Sequence, residues 1–365
     1  MSGIYGLNVK MAIFGESHGT SIGLVLDGLP PGLALDWEAV RREMARRAPG
    51  QSALTTSRKE SDNFEIQSGF FNGYTTGTPL CAVIRNSDQH SKDYSVLADK
   101  MRPGHADYAG HVLYQGFNDY RGGGHFSGRL TAPLVFAGAV AKQALAQQGI
   151  TVGAHILSVG DISERRFDPM GEKPEVLKEL AQKSICVLDE KKGAQMQEKI
   201  LQAKGALNSV GGVVEVMALN LPAGVGQPYF DSLESRISHG LFSVPAVKGV
   251  EFGDGFDITR LTGAEANDAL AYSADGKVTA ASNHNGGITG GISSGMPVVL
   301  RVALKPTPSI AREQDTISLS AHENTKLTIT GRHDPCIVQR AVPVIEAVVA
   351  WQLYDMLLEA KKWVK

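Results

Sequence analysis

Glycine constrains this chain more than any other residue type. It holds 41 of 365 positions, well above the roughly 7% usual in globular proteins, and the excess is local. Six of the ten histidines lie within two residues of a glycine in polar, glycine-rich segments. These are His18 (GESHG), His105 (RPGHAD), His125 (RGGGHFSGR), His239 (ISHG), His284 (NHNGG) and His333 (GRHDPC). Glycine permits positive φ and close backbone approach to a ligand, and histidine exchanges protons near neutral pH. Repetition of the pair along the chain indicates several loops converging on one site.

Arginine supplies the second signal. Arg41, Arg42, Arg46, Arg47, Arg58 and Lys59 crowd one segment, and the first four fall on a helical pattern over 36–48. Asp36 is its expected N-cap, Trp37, Val40 and Met44 its apolar stripe, and Pro49-Gly50 its stop. More arginines recur within the glycine–histidine segments: Arg102, Arg121, Arg129, Arg332 and Arg340. The formal net charge is only −2, without the basic excess of a nucleic-acid-binding domain. Arginines gathered beside glycine and histidine in a near-neutral chain point to a multiply anionic small molecule, because the guanidinium fork matches carboxylate and phosphate. The run 121–129 feeds a helix at Thr131, so its N–H groups are placed to receive an anion. It lacks the ending of a Walker loop and the context of a dinucleotide-binding fingerprint.

Strand-like segments are expected at 22–26, 80–85, 151–158, 212–219 and 297–304, and helices at 36–48, 131–148, about 190–204, 231–241 and 336–361, the last with Pro343 near its start. GLVLDGLPPG (23–32) and VEVMALNLPAG (214–224) are alike, each a short strand ending in a turn, which hints at an internally duplicated βαβ-type core. No linker divides the chain, so residues 1–365 read as a single domain. The three cysteines, Cys81, Cys186 and Cys336, form no framework and suit a reducing compartment. The longest clearly apolar run, Leu130–Ala141, is too short for a bilayer span, and the N-terminus lacks a secretory pattern. A cytoplasmic protein with no membrane, nucleic-acid or metal partner is the expectation.

FGESHG (14–19), RPGHADY (102–108), DYRGGGHFSGR (119–129), VKGVEFGDGF (247–256), NHNGGITGGISSG (283–295), ALKPTPS (303–309) and GRHDPC (331–336), in this order, resemble the chorismate synthase family. The resemblance implies an α+β fold, an internally duplicated β-α-β sandwich with helices layered between sheets. It implies a lyase of the shikimate pathway, and so of aromatic amino acid biosynthesis. The reaction is trans 1,4-elimination of phosphate from 5-enolpyruvylshikimate 3-phosphate, giving chorismate, with reduced FMN (FMNH2) required and no net redox change. It further implies a flavoprotein homotetramer with an external source of reduced flavin.

Residue roles carry over from the matching motifs. His18 would act as general acid at the departing phosphate, His105 would manage the protonation of the reduced flavin, and Asp334 would help the flavin act as base. Flavin contacts would come from His125, Phe126, Ser127, Ala246, Gly290, Lys305, Pro306, Thr307, Pro308, Ser309 and Arg332. Ser17, Arg46, Arg47, Arg129, Arg332 and Arg340 would meet the substrate. Two departures stand out. Many members carry Arg-Ser-Ser where this chain has His125-Phe126-Ser127, with Phe126 available as a wall for the flavin ring. Many also pair two arginines at an NADP site, of which only Arg47 remains because Ala53 replaces the other; this argues against strong NADPH binding. A flavoenzyme with net hydride transfer would need a nicotinamide fingerprint, and an RNA-binding protein would need interleaved aromatics around 41–59; neither is present.

Overall fold

The segment 338–361 is apolar on nearly every side, as a helix must be if it is to be enclosed all round. In the computed structural model, which describes residues 3–50, 60, 62–87, 96–329 and 333–362, it forms the helix Val338–Lys361 at the centre of the molecule. By length and composition it could cross a membrane, yet 94% of its most apolar window is buried inside the protein. Pro343 is its sixth residue, deeper than the first turn, and removes one helical hydrogen bond without ending the helix.

This helix packs along Thr131–Ala146, itself buried on almost every side. The two backbones meet at Gly138, where a Cβ would lie 2.2 Å from the Cβ of Ala347. Trp37–Arg47 and Leu233–Phe242 complete the helical layer. Asp36 caps the first of these as expected, accepting from Glu38 N–H at 2.8 Å.

Two five-stranded sheets enclose the helices. The first runs Ile4–Tyr5, Lys10–Gly15, Ser21–Asp27, Leu80–Arg85, Phe64–Ser68. The second runs Val247–Phe252, Val298–Leu304, Gly212–Leu219, Thr151–Val159, Ile162–Ser163. The two strands that looked alike in sequence, Ser21–Asp27 and Gly212–Leu219, each hold the middle place of a sheet, so the duplication is visible in the layers. All pairings in the two sheets are antiparallel, so the repeated unit contains no parallel βαβ crossover. Period-two alternation sends Ile22, Leu24 and Leu26 to one face, where they meet Ile84, Ala82 and Leu80 across the strand pair. One continuous apolar core joins both sheets to the helices.

The outer face of the second sheet is covered by Pro174–Leu180 and Glu190–Gly205. Beneath them lies a row of charges set by register, buried except for the partly exposed Glu251: Glu251 opposite Arg301, Arg301 opposite Glu215, and Glu215 opposite His155. His155 contacts Glu164 at 2.5 Å through Nδ1 and Glu215 at 3.0 Å through Nε2. Burial works against the imidazolium, but the hydrogen bonds to Glu164 and Glu215 outweigh it and raise the His155 pKa.

A raised histidine pKa stabilises the fold fully below the unfolded value, near 6.5, and the contribution is lost as pH rises through the folded value. His155→Gln is therefore expected to cost about 3–5 kcal/mol at pH 6 and to flatten the fall in Tm between pH 6 and 9, both measurable by calorimetry. Gly138→Val should cost about 1–3 kcal/mol or more through overpacking at Ala347, read from the denaturant midpoint.

Candidate active site

Four of the six glycine-flanked histidines, His105, His125, His239 and His333, line a cavity of about 800 Å³ between the helical layer and the loops; His18 and His284 are not in its lining. Helix ends supply its cations. Arg47 closes Trp37–Arg47, Arg340 opens Val338–Lys361, and Arg129 sits in the Gly128–Leu130 turn before the core helix. Asp62 lies between two of them, 2.5 Å from Arg47 Nη2 and in contact with Arg129. Glu60 stands 3.4 Å from Arg129, and Asn86 Oδ1 accepts from Arg129 Nε at 3.0 Å. Arg340 pairs with Asp334 at 2.5 Å and donates to the backbone oxygen of Arg47 at 3.0 Å. Burial pulls the Arg47 pKa down to about 10, with Asp62 opposing and Arg340 and Arg129 adding to the fall. A cation whose charge is this costly to desolvate is stabilised further by any anion that enters.

Across the cavity, strand ends bring in the second group. Ala246, at φ +74°, precedes Val247–Phe252, and its carbonyl accepts from Lys305 N–H at 2.9 Å, immediately after Val298–Leu304. Lys305, Thr307, Pro308 and Ser309 then line the wall. Burial, and secondarily Lys248, depresses the Lys305 pKa. The Thr307 hydroxyl is buried without a hydrogen-bond partner among the described residues. His105 and Arg102 come from the loop before Asp107–Leu113. His333 also faces the cavity, its Nε2 buried and unpartnered among the described residues; burial and the nearby Arg102 push its pKa down to about 4. At neutral pH it is an uncharged imidazole. Apolar side chains of Met11, Leu134, Val344 and Trp351 form another wall.

The triple glycine also has a local packing job. Gly122, Gly123 and Gly124 have φ of 58°, 84° and 53°, and the Gly123 N–H donates to Tyr120 O at 3.1 Å. A Cβ on Gly122 would fall 2.2 Å from the His18 ring, and one on Gly123 would fall 3.2 Å from the His105 ring. The run is thus the thin wall against which two histidines pack.

His105, Asp334, His125, Phe126, Ser127, Ala246, Lys305, Thr307, Pro308, Ser309, Arg47, Arg129 and Arg340 all line the cavity. His125 is fixed through Nδ1, 2.9 Å from Gly15 O. Ser17 and His18 are buried against Gly122 and are not themselves in the lining. Arg46 turns away: it meets Glu43 at 2.6 Å and Glu346 at 2.9 Å, and Lys142 closes the same buried network between three helices. An arginine so engaged ties the helical layer together, which is a correction to its expected place at the substrate. Gly290 sits at the turn between Ile288–Thr289 and Ile292–Ser293, outside the lining, as does Pro306. Arg332 and Ala53 lie outside the described residues.

Asp62, Glu60, Lys248 and Asp107 were not singled out from sequence. Asp107 was within reach, since it stands in the quoted RPGHAD. Asp62 carried no local pattern; only folding brings it between two arginines. Gly122→Ala is expected to displace the His18 ring and cost about 1–3 kcal/mol through the steric clash and the left-handed backbone, checked by histidine NMR and denaturant titration.

Comparison with known proteins agrees with this arrangement. The family model described as chorismate synthase matches residues 9–358. A protein named chorismate synthase from Dehalococcoides mccartyi is 45% identical over 360 residues, covering 99% of this chain and 98% of that protein. One of the same name from Pyrococcus abyssi is 44% identical over 358 residues, covering 98% of each. A solved structure titled "Crystal Structure of Chorismate Synthase" superposes with a TM-score of 0.76 at 30% identity, over 97% of this chain and 93% of that one. The fold expected from the motifs, sheets around a helical layer, is the fold of that structure, and the chain belongs to the chorismate synthase family.

Proposed function

We propose that this chain, working as one domain, is a carbon–oxygen lyase acting on phosphate. It eliminates phosphate and a ring hydrogen from 5-enolpyruvylshikimate 3-phosphate to give chorismate, with reduced FMN bound and no net redox change. The observation that carries this reading is the convergence of Arg47, Arg129, Arg340 and Lys305 on a cavity that also presents His105 and Asp334. A substrate with one phosphate and two carboxylates needs several fixed cations. A flavin needs an apolar wall, polar atoms left to bond, and a charge for its own phosphate; Phe126, the free Thr307 hydroxyl and Lys305 fit these needs.

The ring hydrogen is not acidic and the phosphate is allylic, so proton transfer alone is insufficient. When bound, reduced FMN supplies transient electron donation that lets phosphate leave, recovering the electron as the hydrogen is removed. The protein's part is positioning, charge and proton management. Arg129 and Arg47, held by Asp62, offer donors whose positions are set before the ligand arrives. Arg340 keeps Asp334 oriented at the cavity wall. His105 holds a proton beside the flavin, and His18, packed against the cavity-lining Gly122, is the general acid assigned to the departing phosphate, a role that requires its ring to come within hydrogen-bond reach of that phosphate. His333, uncharged at neutral pH, can accept or donate one hydrogen bond without adding charge.

The same reading includes a homotetramer in the cytoplasm, with reduced flavin from an external source and no strong NADPH binding at Arg47. Arg332 and Gly290 remain proposed flavin contacts, and Ser17 a substrate contact.

The decisive assay is anaerobic, with dithionite-reduced FMN and substrate, following chorismate absorbance and phosphate release together. Equal amounts of both products without net flavin oxidation are expected; a folded protein that binds FMN yet forms no product overturns the assignment. Net flavin oxidation would favour hydride transfer. His105→Ala and His18→Ala should each slow turnover at least about tenfold with the fold intact. Arg129→Ala should weaken substrate binding and also destabilise the protein by about 3–5 kcal/mol, because Asp62 loses a buried partner; an unchanged substrate Kd counts against its role.

A further inference from the structure

We propose that Asp107 is the positioning residue for His105, fixing which ring nitrogen carries the proton. This deepens the reading above, since it concerns the state of the histidine placed there beside the flavin.

Asp107 is the first residue of Asp107–Leu113, and an acid in a first turn is ordinarily explained by the helix dipole. Its bonds point elsewhere. Oδ2 accepts from Arg102 N–H at 3.1 Å and from Arg102 Nε at 2.7 Å, and Oδ1 accepts from Arg102 Nη2 at 2.8 Å. Oδ1 also lies 2.6 Å from His105 Nδ1. Burial opposes ionisation of this carboxyl, but the hydrogen bonds from Arg102 and His105 hold it well below the usual carboxylate range. An ionised carboxylate has no proton to give, so the short contact requires the proton on Nδ1. Arg102 Nη2 stands 3.2 Å from the same nitrogen; it can only donate, so that contact by itself would favour a bare Nδ1, but Nη2 already donates to Asp107 Oδ1 at 2.8 Å and the carboxylate, at 2.6 Å, is the closer partner of Nδ1.

The consequence is directional. With Nδ1–H held by Asp107, the nitrogen that gains or loses a proton is Nε2, on the ring edge facing Gly123. Arg102 Nη1 reaches Ser309 Oγ at 3.3 Å, so the same guanidinium that secures Asp107 is anchored to the 305–309 wall. The arrangement follows the logic of a buried carboxylate that sets a catalytic histidine's tautomer, where the amide replacement leaves geometry but disturbs the proton.

The test is ¹⁵N NMR on the unmodified protein labelled at histidine, with His105→Gln used only to assign the signal. Nδ1 is expected to keep its proton up to the highest pH at which the protein stays folded, Nε2 being the nitrogen that loses one. A His105 that loses the Nδ1 proton first overturns the proposal, whatever the assay of activity shows. Asp107→Asn should switch His105 toward the Nε2–H form and lower kcat at least tenfold while leaving the FMN Kd within twofold. A folded variant with unchanged tautomer and kcat overturns it as well. Should that variant not fold, the measurement on the unmodified protein decides alone.

Discussion

The helix Val338–Lys361 is the element on which the rest of the structure leans. It needs a nearly complete apolar coat, and only a layer with sheets on both sides supplies one. Its close contact with Thr131–Ala146 at Gly138 and Ala347 brings the helical layer to a spacing that side chains alone would not allow. Three polar residues along its length then do separate jobs. Arg340 enters the cavity, Glu346 joins the network of Arg46, Glu43 and Lys142, and Asp355 accepts the backbone N–H groups of Leu7, Asn8 and Val9 at 2.7–2.8 Å. One rigid rod thereby links the site to the helical layer and to the N-terminal loop.

The site itself is a solution to one electrostatic problem. Several cations must be held close together, out of water, with some attraction left for a ligand. Desolvation and mutual repulsion both oppose this. Asp62 between Arg47 and Arg129, Asp334 beside Arg340, and Asp107 beside Arg102 relieve part of the cost and fix each guanidinium in place. The compensation is incomplete at Arg47, whose pKa stays depressed, and at Lys305, which shares its surroundings with Lys248. The glycine run serves the same end geometrically, keeping the wall between His18 and His105 one backbone thick.

Legibility differed by element. Strands at 22–26, 80–85, 151–158, 212–219 and 297–304 were readable because buried β-branched runs repeat at the strand period. The strands Lys10–Gly15, Phe64–Ser68 and Val247–Phe252 were not, since they are partly exposed and their composition is mixed with polar residues and glycine. The charged row of His155, Glu215 and Arg301 is invisible in sequence because register between three strands creates it. Arg46 and Arg47 illustrate the limit at a single step of chain. Adjacent positions on a helix point about 100° apart, so one enters the buried network of the helical layer and its neighbour enters the cavity.

By itself the sequence determined the local chemistry: caps, turns, apolar periods, the glycine–histidine loops and motifs specific enough to indicate the family. These are properties of short windows, where backbone preference and side-chain type act without a partner. Tertiary structure alone decided which arginines are free to meet an anion, that Asp62, Glu60 and Asp107 hold them, and that His18 and His105 share a wall of glycine. Those outcomes depend on distances between residues far apart in the chain, and on burial, which turns an ordinary charge into one that must be paired.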